Sequence, residues 1–152
     1  MRIFNTALSA VAGLSALVTL AFAAPHEEHF QTRLSPIAMD LLTRDSVAGV
    51  GRATAVLSND TLTLSGVFEG LPSAVTSANL HQGIAVGARG QQAFKLVVSG
   101  SRQGVINGSV RLGKDQAAAL RSGRMYVQLQ SEGAPDGHLW GWLLPASTPA
   151  DR

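Results

Sequence analysis

Apolar and polar residues alternate along much of the chain after residue 30. In residues 51–57 (GRATAVL) and again in residues 61–68 (TLTLSGVF), every second position is apolar, and a short SND segment separates the two runs. Side chains two residues apart on a strand share a face, so this period of two predicts a hairpin with one buried face. The positions predicted to face inward are Ala53, Ala55, Leu57, Leu62, Leu64 and Phe68.

Comparable strand-like runs recur at intervals of about 8–12 residues, which is typical of an all-β sandwich or barrel. Six more of them lie at residues 30–36, 75–81, 92–98, 105–112, 124–130 and 137–144. One helix is predicted at residues 114–123, with Asp115 as its N-terminal cap and Gly123 at its end. We therefore expect an antiparallel β-sandwich or barrel with one short helix.

Residues 1–23 are predicted to be a cleaved signal peptide. An early cation, Arg2, precedes a run of Ala, Leu and Val that ends in the small-x-small pattern AFA at residues 21–23. The alternative is an uncleaved membrane anchor, because residues 7–24 are about long enough to cross a bilayer. Cleavage predicts a secreted or periplasmic protein that is not held in a membrane.

The remainder has the length and composition of one domain. It divides into a polar lead-in (24–29), a β domain (30–145) and a flexible tail (146–152). The chain has no cysteine, which excludes disulfides and thiolate chemistry. Its formal net charge is +2, with cations and anions interspersed, so no basic stripe points to nucleic acid as a partner.

The order of several segments resembles the CHRD family, whose domain is named after chordin and also occurs singly in secreted bacterial proteins. The segments that carry the resemblance are GRATAVL, LTLSGVFEGLPSAVTSANLHQG, LRSGRMYVQLQ and PDGHLWGWL. The resemblance implies an immunoglobulin-like β-sandwich or barrel distantly similar to copper–zinc superoxide dismutase. It also favours a loop over a helix for residues 37–50, and it implies no established biochemical activity.

At three places the chain departs from the pattern of the family that it resembles. The family typically has His-x-His where this chain has NLH at residues 79–81, and a histidine where this chain has Gln130. It typically has Gly-Glu-x-Arg-Gly where this chain has GHLWG at residues 137–141, so His138 stands in place of a carboxylate. His81 is the one typical histidine that remains. The departures imply that most of any metal or proton-handling site of the family is missing here.

The sequence contains no recognisable catalytic arrangement, which favours a non-enzymatic role without a cofactor. It lacks the Gly-x-Ser-x-Gly and His-Glu-x-x-His motifs, and its 10 carboxylates form no evident pair. The alternative is weak binding of copper or zinc by His81 with His138, or by His26 and His29 near the predicted new N-terminus. Pro25 in second place blocks the usual planar copper chelate of a chain terminus, because proline has no amide hydrogen.

The last two predicted strands define a candidate binding surface. Paired as a hairpin, they place three pairs of side chains on one face: Gln130 with His138, Gln128 with Trp140, and Tyr126 with Trp142. We call these six residues the polar–aromatic strip. The opposite face, which is predicted to lie in the core, carries Met125, Val127, Leu129, Leu139 and Leu143.

The polar–aromatic strip suits a protein or glycan partner at the cell surface or in the envelope, because flat rings beside amides can stack on sugars or anchor a protein. Asn79 and His81, which share a face of another strand, complete the predicted binding residues. The alternative is that a loop at residues 36–48 covers the strip and makes it a second small core. A shift of one residue in register would also turn the strip inward.

Overall fold

The computed structural model describes residues 26–37 and 47–147. Within these residues the chain forms nine strands and one helix. Their bounds are β1 Glu27–Pro36, β2 Val50–Ser58, β3 Thr61–Glu69, β4 Val75–Gln82, β5 Gln91–Gly100, β6 Gly104–Arg111, α1 Lys114–Arg121, β7 Met125–Ser131, β8 Ala134–Trp142 and β9 Leu144–Pro145. The predicted leader, most of the ambiguous segment 37–50 and the end of the tail lie outside the described residues. In the described part, no helix is long and apolar enough to cross a membrane.

Eight of the strands close into an antiparallel barrel. Around the barrel their order is β1-β2-β3-β6-β5-β4-β7-β8, and β1 completes the circle because it pairs with both β2 and β8. The ninth strand, β9, is added beside β1. Of the two architectures that the sequence left open, the chain forms a closed barrel, and the one short helix lies between β6 and β7.

Strands β4 to β7 form a Greek key. β4 pairs with β5 and β5 with β6, while β7 returns to the other side of β4. The helix α1 lies in the long connection from β6 to β7. This crossover places β7 beside β4, which carries Asn79 and His81, and β8 lies on the other side of β7.

β8 and β9 pair with β1 one after the other and in the same register, as one strand with a short interruption would. Two pairs belong to the same antiparallel register, Ser35 with Trp140 and Gln31 with Leu144. Because the register is unchanged between them, Arg33 lies opposite Trp142. The strand order at this seam therefore joins the polar–aromatic strip to the outer face of β1.

Gly141 allows the barrel to close at this seam. A Cβ atom at this position would collide with Oγ1 of Thr32 and stand 2.5 Å from the carbonyl oxygen of Arg33. No side chain larger than hydrogen fits there unless the backbone of β1 moves. The glycine thus permits the close approach of β8 to β1.

The interior of the barrel is filled by the positions that the alternation predicted. The six inward-facing residues of the β2–β3 hairpin are each at most 2% exposed, and the five predicted core residues of β7, β8 and the segment after β8 are all 0% exposed. Burial of a leucine-sized side chain contributes about 1.5–3 kcal/mol. The cysteine-free chain is therefore held together by this apolar interior.

Several predicted boundaries differ from the structure; β8, for example, begins at Ala134 rather than at residue 137. β1 begins at Glu27 rather than at Phe30, because residues 27–29 pair with residues 56–58 of β2. The helix is capped by Gly113, whose backbone N–H donates to Oε1 of Gln116 over 2.9 Å, whereas Asp115 lies in the first turn. This bond differs from the predicted one, in which the Asp115 carboxylate would accept from amides of the first turn.

Candidate functional site

The polar–aromatic strip lies on the outer wall of the barrel where β7 pairs with β8. Two of the three predicted cross-strand pairs are formed, Gln128 with Trp140 and Tyr126 with Trp142. The third, Gln130 opposite His138, is wrong. The register shifts after Leu129, and Ser131 pairs with Ala134 instead. Three extra residues in β8 are accommodated at this bulge, so His138 is displaced from the position that a regular hairpin would give it.

The strip continues onto β4. In the pairing of β4 with β7, His81 lies opposite Tyr126 and Asn79 lies opposite Gln128. Directly opposite residues share a face of the sheet. The structure therefore brings the two sets of predicted binding residues together on three adjacent strands.

Four rings pack against one another on this wall, and we call them the aromatic cluster. The ring centroid of Tyr126 lies 4.9 Å from that of His81 in a stacked arrangement, 4.4 Å from that of Trp142 and 5.9 Å from that of Trp140. The two tryptophan rings are 6.1 Å apart. Aromatic pairs at such distances contribute about 0.5–1.5 kcal/mol each beyond their buried area. The central tyrosine thereby holds both tryptophans in fixed positions.

The Gly-rich loop at residues 83–90 is fastened to the aromatic cluster. The hydroxyl of Tyr126 accepts a hydrogen bond from the Gly90 N–H at 3.0 Å and donates to the Gly90 carbonyl at 3.3 Å. Nδ1 of His81 lies 3.3 Å from the same carbonyl. The guanidinium of Arg89 lies 5.7 Å from the centroid of the Trp140 ring, within the range of a cation–π contact. The loop thus adds a cation to the edge of the cluster.

The strip is only partly open to solvent. Tyr126 is 1% exposed, Gln128 is 5% exposed and His138 is fully buried, whereas Trp140 and Trp142 are half-buried. Nε2 of Gln128 donates to the carbonyl of Asp136 over 3.0 Å. Most of the loop at residues 36–48 that was predicted as a possible cover lies outside the described residues. Among the described residues, the tryptophans and Gln130 are the most open part of the strip.

His138 anchors the start of β8 to the segment before β2. Its Nε2 lies 2.7 Å from the Ala48 carbonyl oxygen and 3.3 Å from the Ala48 backbone nitrogen, and the shorter contact, to an atom that can only accept, favours a hydrogen on Nε2. Its Nδ1 then accepts a hydrogen bond from Oγ of Ser131 at 2.6 Å. Burial lowers the pKa of His138 below its usual value of 6.5, and the bond to Ala48 offsets part of that effect. The imidazole is thus a neutral structural link.

Asn79 and His81 leave two acceptor atoms without partners. Nδ2 of Asn79 donates to Oε1 of Gln130 over 2.9 Å, and Oγ of Ser77 donates to the same oxygen over 2.7 Å. Oδ1 of Asn79 and Nε2 of His81 are buried and have no hydrogen-bond partner in the described structure. Burial lowers the pKa of His81, and the Gly90 carbonyl offsets part of that effect. His81 is thus a neutral ring whose Nε2 keeps a lone pair.

The two histidines proposed as shared metal ligands are far apart. His81 lies beside Tyr126, whereas His138 contacts Ser131, five positions further along β7. Five residues of strand span about 16 Å, which no single metal ion can bridge. Near the start of β1, Nε2 of the exposed His29 lies 3.9 Å from a carboxylate oxygen of Glu27. Within the described ranges, no three His, Cys, Asp or Glu side chains are grouped closely enough to hold a metal.

Two features of this surface were not predicted from the sequence. Arg89 lies between two predicted strands and Arg33 lies within the first one, and neither was among the predicted binding residues. The glycines that flank Arg89, at residues 87 and 90, are a signal for a tight loop, but the sequence does not show where that loop folds. The position of Arg33 depends on which strand closes the barrel.

A closed antiparallel barrel with a partly exposed aromatic cluster on its outer wall defines the class of this protein: a small all-β domain with one short helix. Within that class, comparison with models of protein families identifies one family. Residues 30–143 match the model of the CHRD domain, which covers most of the chain. The chain belongs to the CHRD domain family. Neither a curated protein nor a solved structure matches it.

Proposed function

We propose that this CHRD-domain protein is a non-enzymatic binding module whose contact surface is centred on Trp140 and Trp142. The observation that carries the proposal is that both tryptophans lie half-buried on the outside of the barrel instead of inside it. Tyr126, which contacts both of them in the aromatic cluster, is only 1% exposed. Large rings held in place in this way lose little conformational freedom when a ligand binds.

The surface has the chemistry of a stacking site. Its exposed part consists of two indole rings and the cation of Arg89, and its surroundings are amides and hydroxyls rather than acid–base pairs. Such a surface fits the flat face of a sugar ring or an apolar side chain of a protein. We favour a secreted or periplasmic location, to which the predicted leader would direct the protein.

The Greek-key order of the barrel supports the relationship to immunoglobulin-like domains and to copper–zinc superoxide dismutase that the family resemblance implied. This relationship concerns the fold. The separation of His81 from His138 argues against transferring the metal chemistry with it.

The test is a binding screen with single tryptophan variants. Neutral and acidic oligosaccharides are titrated into the full chain and into Trp140→Ala and Trp142→Ala, with intrinsic fluorescence or calorimetry as the readout. We expect each variant to lose at least about 10-fold in affinity, as is typical of a central aromatic contact. Val97→Ala is the matched control, because Val97 is 70% exposed on a different part of the wall.

A circular-dichroism spectrum and a melting curve of each variant separate binding from folding. Variants that keep the strand spectrum of the parent but lose binding support the proposal. Variants that unfold, or that bind every oligosaccharide as the parent does, contradict it.

A further inference from the structure

A row of outward-facing side chains continues the aromatic cluster across the seam of the barrel. Arg33 lies opposite Trp142 in the register of β1 with β8 and β9, and opposite Arg52 in the pairing of β1 with β2. Side chains that are directly opposite share a face. Tyr126, Trp142, Arg33 and Arg52 therefore follow one another around the outside of four neighbouring strands.

The two arginines form a like-charge pair. Like charges that are directly opposite destabilise a sheet. Both side chains are exposed, and the three ion pairs found among the described residues involve His29, Arg111 and Arg121 instead. A bound anion would relieve the repulsion between Arg33 and Arg52, so the pair is suited to an acidic ligand.

The arginines also line a recess on the outside of β1, β2 and β3. The recess has a volume of about 480 Å³, and its wall includes the apolar side chains of Val50 and Val67. Glu69 is a further lining residue, so the recess carries two cations and one anion. Neighbouring strands are about 4.8 Å apart. The Cα atoms of Trp142 and Arg52, which lie two strands apart, are therefore separated by about 10 Å. A short oligosaccharide can span that distance.

We propose that this surface binds an acidic polysaccharide, with one sugar ring on Trp140 and Trp142 and the carboxylate of a neighbouring uronic acid between Arg33 and Arg52. The inference rests on the proposed function and specifies its ligand class. A guanidinium presents parallel N–H donors that match the two oxygens of a planar carboxylate. Arg89, at the other side of the tryptophans, extends the positive character of the surface.

The experiment compares an acidic ligand with its neutral counterpart. Hexagalacturonate and its fully methyl-esterified form are titrated into the full chain, into Arg33→Gln/Arg52→Gln and into a control with the same change in charge, Arg111→Gln/Lys114→Gln. The control residues lie at the opposite end of the sheet, near Thr61. We expect the Arg33/Arg52 variant to bind the acid about 10-fold more weakly and the ester as the parent does.

The outcomes separate this inference from the proposed function. The arginine pair is not a carboxylate site if the parent binds the acid and the ester equally, or if both double variants lose the same affinity. Neither outcome contradicts the proposed binding surface on the tryptophans. If the parent binds neither ligand, the acidic-polysaccharide inference is wrong, and the tryptophan variants decide the proposed function on the wider panel. Since both arginines are exposed and repel each other, we expect Arg33→Gln/Arg52→Gln to fold.

Discussion

At the scale of single residues, His138 is buried and has a structural role, whereas the predicted hairpin placed it on the outer surface. A regular hairpin would have kept it beside Gln130 on the polar–aromatic strip. The bulge in β8 instead places it under the segment that precedes β2, where Ser131 and the Ala48 carbonyl satisfy both ring nitrogens. The neutral form fits this site, because Nδ1 can then accept the hydrogen bond that the Ser131 hydroxyl donates. A protonated Nδ1 would require the hydroxyl to rotate and act as the acceptor instead.

We expect the protein to lose stability as the pH falls below about 6.5. Burial lowers the pKa of His138 and of His81 in the folded state, so the unfolded chain binds protons that the folded chain does not. Stability is therefore complete above the unfolded pKa and declines as the pH falls toward the folded values, by at most about 1.4 kcal/mol per pH unit for each histidine.

Urea unfolding between pH 7.5 and pH 5 measures this dependence. His138→Gln should flatten the curve, and Val97→Ala, which removes no titratable group, should leave its slope unchanged. A parent protein whose free energy of unfolding is constant across the interval would contradict the assignment of a neutral buried His138.

At the scale of elements, the loop at residues 83–90 is the part of the binding surface that is not a strand. It is held through Gly90, which receives three side-chain contacts from Tyr126 and His81. Ile84 and Val86 of the loop are 85% and 55% exposed, so apolar burial contributes little to its position. The hydrogen bonds to Gly90 therefore help to keep Arg89 next to Trp140, together with backbone bonds such as that from the Gly83 N–H to the Arg124 carbonyl over 2.8 Å.

Tyr126→Phe should loosen this loop while leaving the barrel folded. The change removes one hydroxyl that both accepts from and donates to Gly90, and a hydrogen bond of this kind contributes about 1 kcal/mol. Hydrogen–deuterium exchange should become faster in residues 83–90 and stay the same in β2 and β3. Unchanged exchange in the loop would show that other contacts hold it.

The sequence predicted the strands well and their irregularities poorly. Leu62, Leu64 and Val127 were placed in the core correctly, because a half-buried strand imposes a period of two on its sequence. The bulge after Leu129 was missed, because a bulge adds residues without changing which residue types appear. Asp115 was chosen as a cap on residue type alone, whereas the structure uses the side chain of Gln116 for the backbone of Gly113.

At the scale of the whole molecule, closure of the barrel decides which distant residues become neighbours. Arg33 and Trp142 are far apart in the chain, and they meet because β1 is the strand that pairs with both ends of the sheet. Periodicity assigns each residue to a face, but it carries no information on the order of strands. The strip on β7 and β8 was therefore predictable, and its continuation onto β1 was not.

Gly141→Ala should open the seam between β1 and β8. The added methyl group would overlap with Oγ1 of Thr32 and approach the backbone of Arg33. Overpacking of this kind costs about 1–3 kcal/mol. Chemical denaturation with circular-dichroism detection measures the loss. Gly113→Ala is the control for a methyl group that meets no clash, because its nearest neighbour would be 3.7 Å away, and it should lose less stability than Gly141→Ala. A fully stable Gly141→Ala protein would contradict the tight seam.

The aromatic cluster has a practical consequence for spectroscopy. The chain has two tryptophans and one tyrosine, and all three belong to this cluster. Tryptophan and tyrosine fluorescence therefore reports on one patch of the outer wall and does not report on the apolar interior. If the emission changes at a lower denaturant concentration than the far-ultraviolet signal does, that patch has come loose from a barrel that is still intact, and a two-state fit to fluorescence alone would underestimate the stability of the domain.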